Sequence, residues 1–180
     1  IKTIKKSVIK PYFVKRDKNG KQQWSKPEKV FIDELEKTDN DVLWWFKNGA
    51  SESKYFGIAY KKNGNSHGSY YAFYPDFVIK TKKETLVVEI KDDRDFKNEN
   101  LLKLNAGKKY QKEYKGKENF YFYIISPSDY YKFFVALKNQ DLASFKSQFE
   151  ENLVRYTQSR KVVSEKQADK SKEDQELLEL

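Results

Sequence analysis

The spacing of apolar residues changes several times along this chain, and each change marks an element. In SKPEKVFIDELEK, residues 25–37, Val30, Phe31 and Leu35 share one helical face. Ser25, an early Pro27 and Glu28 three residues after the serine form the opening of a capped helix. Asp39-Asn40-Asp41 ends it. VLWWFKNG then predicts a strand and a turn. KYFGIAY and GSYYAFYPDFVIK flank the loop KKNGNSHG and predict an antiparallel pair, and TLVVEIK predicts a further strand. Helical spacing returns in NENLLKLNAGKKYQKEYK, where Leu102, Ala106, Tyr110 and Tyr114 recur every fourth position and Gly107 weakens the helix. NFYFYIIS reads as a strand broken by Pro127, and DYYKFFVALK as a helix. DLASFKSQFEENLVRY reads as one amphipathic helix with Leu142, Phe145, Phe149 and Leu153 on one face. This order predicts an α/β domain with a mixed β-sheet flanked by helices, over residues 25–160. Residues 1–24 read as a lead-in and 161–180 as a charged tail.

Chemistry concentrates in YPDFVIKTKKETLVVEIK, residues 74–91. A turn centred on Lys82-Lys83 sets Lys80 against Thr85, and counting back sets Asp76 against Glu89. Opposed residues on one sheet face have Cβ atoms about 4.5–5.5 Å apart, so the two carboxylates repel. A divalent cation between them removes that cost, and Mg²⁺ accepts sites with one or two carboxylates. Lys91, two residues beyond Glu89, shares its face, while Val88 and Ile90 point to the core. The same spacing also suits an ordinary hairpin with cross-strand ion pairs on an open face.

Composition narrows the class. Of 180 residues, 38% are hydrophobic and 16% aromatic, enough for a substantial core. The formal net charge is +9; the tail holds four Lys and six acids, so residues 1–160 carry about +11. A positive domain fits a polyanionic partner, most often nucleic acid, or a lysine-rich, well-solvated surface. The absence of cysteine excludes a disulfide framework and a thiolate metal site. No stretch approaches a membrane span and no signal peptide opens the chain. With no methionine even at position 1, the chain is expected to be a processed chain or a piece excised from a longer protein.

FYPDFVIK and TLVVEIK together resemble the core of the PD-(D/E)xK nuclease superfamily, with Pro75-Asp76 and Glu89-Ile90-Lys91 on the motif. More narrowly, VLWWFKNG, YFGIAY, YYAFYPDFVIK and VVEIKDDRD resemble the C-terminal endonuclease domain of type III restriction enzyme Res subunits and related helicase–nuclease proteins, over roughly residues 25–137. The resemblance implies a restriction-endonuclease-like core and Mg²⁺-dependent hydrolysis of DNA phosphodiester bonds, with Mn²⁺ able to substitute. It implies Asp76, Glu89 and the Ile90 carbonyl as metal ligands, and Lys91 as the residue that orients or deprotonates the attacking water. Glu28 matches the glutamate that the first helix supplies in this superfamily, although its place in the capping box explains it equally well. Lys103, Lys109 and Gln111 are the candidates for a nucleic-acid contact from the following helix.

No G-x-x-x-x-G-K-[ST] loop is present, so the resemblance implies an ATPase or helicase region N-terminal to this chain in its parent, in a bacterial cytoplasm. The rival reading is a nuclease fold without activity, serving as a nucleic-acid-binding or docking domain. Glu34 and Glu36 read as helix-surface charges, Trp44 and Trp45 as packing residues, and His67 as an exposed loop residue. KDDRD reads either as a guide for a DNA strand or as a local Asp–Arg cluster.

Overall fold

The computed structural model describes residues 4–8, 25–48, 55–62, 69–114, 116 and 118–160; His67 and the charged tail lie outside them. Helix α1, Lys26–Leu35, opens with the expected capping box: the Glu28 N–H donates to Ser25 Oγ at 3.3 Å, and the Ser25 N–H donates to Glu28 Oε2 at 3.4 Å. Asn40 closes the other end, its amide donating to the carbonyls of Glu34 and Leu35 at 2.7 and 3.2 Å.

Strands β1 (Val42–Lys47), β4 (Phe77–Thr81), β5 (Glu84–Ile90) and β6 (Asn119–Ile125) make a mixed sheet in the order β1-β4-β5-β6. β1, β4 and β5 are antiparallel neighbours, and β6 runs parallel to β5. Strands β2 (Ile58–Lys61) and β3 (Tyr70–Phe73) form a separate antiparallel ribbon. The apolar run that reads as one strand from Gly68 to Lys80 thus serves two sheets. It breaks at Tyr74-Pro75-Asp76, where Pro75 has no N–H for a ladder.

Helices α1 and α3 (Tyr130–Lys138) contribute to a core on one sheet face, where Phe31, Trp45, Phe77, Val88 and Phe133 meet. Helix α2 (Asn98–Glu113) and helix α4 (residues 148–160) contribute to the other, with Leu104, Val87, Phe122, Phe149 and Leu153. A mixed sheet flanked by four helices is the expected α/β class, consistent with a restriction-endonuclease-like core. No helix among the described residues is long and apolar enough to cross a membrane.

Two periodicities read differently in three dimensions. Leu142 and Phe145 belong to the first core and Phe149 and Leu153 to the second, so they share no helix face. A 3-10 turn at Leu142–Ser144 precedes α4, which starts only at 148. Buried Asp129 accepts from the Gln148 and Phe149 N–H groups at 2.7 and 3.3 Å, and so caps that start. In α2 the buried positions are Asn100, Leu104 and Gly107; Tyr110 and Tyr114 lie toward solvent. Gly107 lets α2 approach β6, since a Cβ there would stand 2.2 Å from the Phe122 ring.

Both sheet edges are covered, β6 by side chains and β1 by the N-terminal segment. On β6, Phe122 N–H donates to Gln111 Oε1 and Ile124 N–H to Glu150 Oε1, each at 2.9 Å, while Lys108 and Ser147 donate to the Phe122 and Ile124 carbonyls at 2.7 Å. On β1, Ser7 bridges to Trp45 in parallel. Glu36 holds that N-terminal segment: it accepts from the Lys5 and Lys6 N–H groups at 2.6 and 3.1 Å and from Trp45 Nε1 at 2.6 Å. Glu36 is therefore a structural acceptor rather than a surface charge, because it follows the last turn of α1 where the lead-in returns to the sheet.

Candidate functional site

Strand register brings the acidic positions to one end of the sheet. β4 and β5 pair as Lys80↔Thr85, Ile79↔Leu86, Val78↔Val87 and Phe77↔Val88, so the turn is Lys82-Lys83 as expected. Asp76 lies one residue before this ladder and Glu89 one residue after it. The Asp76 carbonyl accepts from Asn48 N–H at 2.8 Å. The fully buried Asn48 amide also donates to the Phe56 and Pro75 carbonyls at 2.7 and 2.8 Å and accepts from Phe56 N–H at 3.1 Å. One asparagine thus anchors the turn that carries Asp76. Both Asp76 oxygens are engaged: Oδ2 accepts from Ile90 N–H at 2.9 Å and Oδ1 from Lys47 Nζ at 2.8 Å.

Glu89 is 6% exposed, not on an open face: Val87, two residues earlier on the same face of β5, belongs to the core that residues of α2 and the β2–β3 ribbon share. Its Oε1 pairs with Lys91 Nζ at 2.6 Å, while Oε2 is buried without a partner. Burial, and then the nearby Asp76 charge, push its carboxyl up to about 7 against the pull of Lys91 and Lys103. Burial opposes the Lys91 ammonium too, but Glu89 and Asp76 outweigh it and raise its pKa. Lys91 N–H donates to the Ile125 carbonyl at 2.9 Å, which carries the β5–β6 ladder one residue past Glu89-Ile90.

Glu28 fills its expected place in the capping box and also shares an ammonium with Asp76. Oε2 accepts in the capping box, and Oε1 accepts from Lys47 Nζ at 2.7 Å. Lys103 lies on α2 facing the cluster, paired with Glu99 at 3.1 Å, and Tyr60 Oη donates to the same Glu99 oxygen at 3.0 Å. Lys109 and Gln111 are not brought to the cluster. They lie six and eight residues beyond Lys103, about 9 and 12 Å along the helix axis. Lys109 is exposed, and Gln111 serves the β6 edge. In KDDRD, Asp93 accepts from the Ser128 N–H and hydroxyl at 3.1 and 2.7 Å, a local tie between loops.

Lys47 and Asn48 are the site residues that motif reading misses. Both lie in VLWWFKNG, which contributes to the resemblance without naming a site residue, and the β1–β4 register, Lys47↔Phe77, is what sets them beside Asp76.

Among the described residues, no three His, Asp or Glu side chains converge as a ready metal cluster. The oxygen donors present still fit a hard divalent cation. Two carboxylates approach each other, and one of their oxygens is buried and unsatisfied, an expensive state unless a proton or cation relieves it.

Fold and site define an α/β protein with a carboxylate–lysine cluster at one end of a mixed sheet. Residues 14–159 match the YagJ family, and the chain belongs to that family. No curated protein and no solved structure matches it.

Proposed function

We propose that this domain is a metal-dependent endonuclease that hydrolyses DNA phosphodiester bonds. The observation that carries this reading is the buried, unpartnered Glu89 Oε2 beside Asp76 and Lys91. Asp76, Glu89 and the Ile90 carbonyl are the groups to hold Mg²⁺ or Mn²⁺. Such a cation supplies Lewis acidity toward a phosphoryl oxygen and makes a nearby water more acidic. The chain's own groups supply the rest. The Ile90 N–H orients Asp76. The Lys91 ammonium, half-buried among acids, holds positive charge where negative charge grows on a phosphate in the transition state. Lys103 adds a second cation on the α2 side. The basic surface supports DNA as the substrate. The resemblance to helicase–nuclease proteins supports an ATPase region in the parent and a bacterial, cytoplasmic setting.

A second reading, a binding or docking domain without activity, is favoured by one observation: Lys47 and Lys91 already neutralise Asp76 and Glu89. Incubation with supercoiled plasmid, with and without Mg²⁺, decides between them. Nicked or linear product that requires Mg²⁺ and is lost on chelation is the expected result. Intact plasmid at every cation concentration leaves the second reading.

A further inference from the structure

Lys47 lies in VLWWFKNG, a stretch from which no site residue was expected, yet it joins two of the site's acids. It closes β1 opposite Phe77, and its Nζ lies 4.7 Å from the centre of that ring. From there Nζ reaches Glu28 Oε1 at 2.7 Å and Asp76 Oδ1 at 2.8 Å, with the side chain 16% exposed. The ammonium thus bridges a carboxylate on α1 and one at the head of β4. That is the task a metal ion would perform there: screening two acids from each other and from Glu89.

We propose that Lys47 is a built-in counter-cation, which competes with a divalent cation for Asp76 and sets the concentration at which the site loads. The proposal rests on the metal-site reading above. Glu28, Asp76 and Glu89 carry three negative charges, and Lys47 and Lys91 carry two positive ones, a formal balance of −1 when all are ionised. Without Lys47 the balance is −2, and a carboxylate pair so exposed attracts a divalent cation more strongly. A cation held by Asp76 is also repelled by an ammonium on the same carboxylate. Cation uptake should therefore displace Lys47 from Asp76 toward solvent. An inert staple between α1 and the sheet predicts otherwise: its loss would cost stability and leave cation affinity equal or weaker.

The test titrates Mn²⁺ calorimetrically into the cation-free parent, Lys47→Met and Lys47→Arg at fixed pH and salt. Met keeps the apolar stem on Phe77 and removes the charge, while Arg keeps the charge. Lys47→Met should melt lower than the parent without cation and bind Mn²⁺ about tenfold more tightly. Lys47→Arg should bind like the parent. Parent binding with no tighter binding by Lys47→Met overturns the counter-cation role and leaves the metal site standing. Absence of Mn²⁺ binding in both overturns the role and the metal site together. A measurement on the parent alone covers a variant that does not fold. Mn²⁺ should raise the reactivity of Lys47 toward an acylating reagent, read by peptide mass. Unchanged reactivity at saturating Mn²⁺ overturns the displacement.

Discussion

Asp76, Glu89 and Lys91 stand within one network but answer to different tests. Asp76→Ala and Glu89→Ala should each reduce plasmid cleavage to background while the protein still folds; parental cleavage by either variant removes it from the site. Lys91→Ala should slow cleavage by about a hundredfold or more and leave Mn²⁺ affinity within a few-fold of the parent, because an ammonium donates no lone pair. Glu89 also has a signature in stability. Its carboxyl is raised to about 7, above the ~4.3 of a solvated glutamate. Between those values the folded protein keeps a proton that the unfolded chain has released. Stability therefore falls as pH rises through that window and levels off above it. Scanning calorimetry of cation-free protein should show the parent losing more of its melting temperature than Glu89→Gln between about pH 5 and about pH 8. Parallel curves for the two would mean that the buried charge is not the cause.

Among the elements, α1 and α2 carry the informative substitutions. Glu28→Gln keeps an acceptor for the Ser25 N–H and removes the charge opposite Lys47. It should melt within a few degrees of the parent and cleave at least roughly tenfold more slowly, about 1.4 kcal/mol of transition-state stabilisation. Full activity would make Glu28 a cap alone. In α2, Gly107→Ala sets two effects against each other. Alanine favours a helix by about 1 kcal/mol over glycine. Its Cβ would meet the Phe122 ring at 2.2 Å, and Phe122 is fully buried. Overpacking costs about 1–3 kcal/mol, so the clash wins and denaturant titration should show a net loss of stability. A gain would mean that α2 can move off β6 freely.

At the scale of the molecule the balance of +9 is the dominant long-range feature. Lysines that neutralise DNA phosphates release the counterions condensed there, which gives a binding constant that falls steeply with salt. Anisotropy titrations with unrelated duplexes should give similar affinities and a logarithmic decline with salt. A salt-independent affinity would remove the electrostatic basis for a DNA partner.

Local sequence was enough for whatever depends on near neighbours. The capping box at Ser25 and Glu28, the Lys82-Lys83 turn and the facing of Lys80 and Thr85 need only spacing and period. Pairing across a two-residue turn sets the register outward from it, so Asp76 and Glu89 could be brought together from the chain alone. Tertiary structure decided the rest. Burial of Glu89 goes with the core that β5 shares with α2 and the β2–β3 ribbon, which no pattern within TLVVEIK reports. Division of Leu142 and Phe145 from Phe149 and Leu153 depends on Asp129, whose carboxylate starts α4 from a distant turn. Lys47 enters the site because β1 is the edge strand antiparallel to β4, and a strand's neighbour is chosen by the packing of the whole sheet rather than by its own residues.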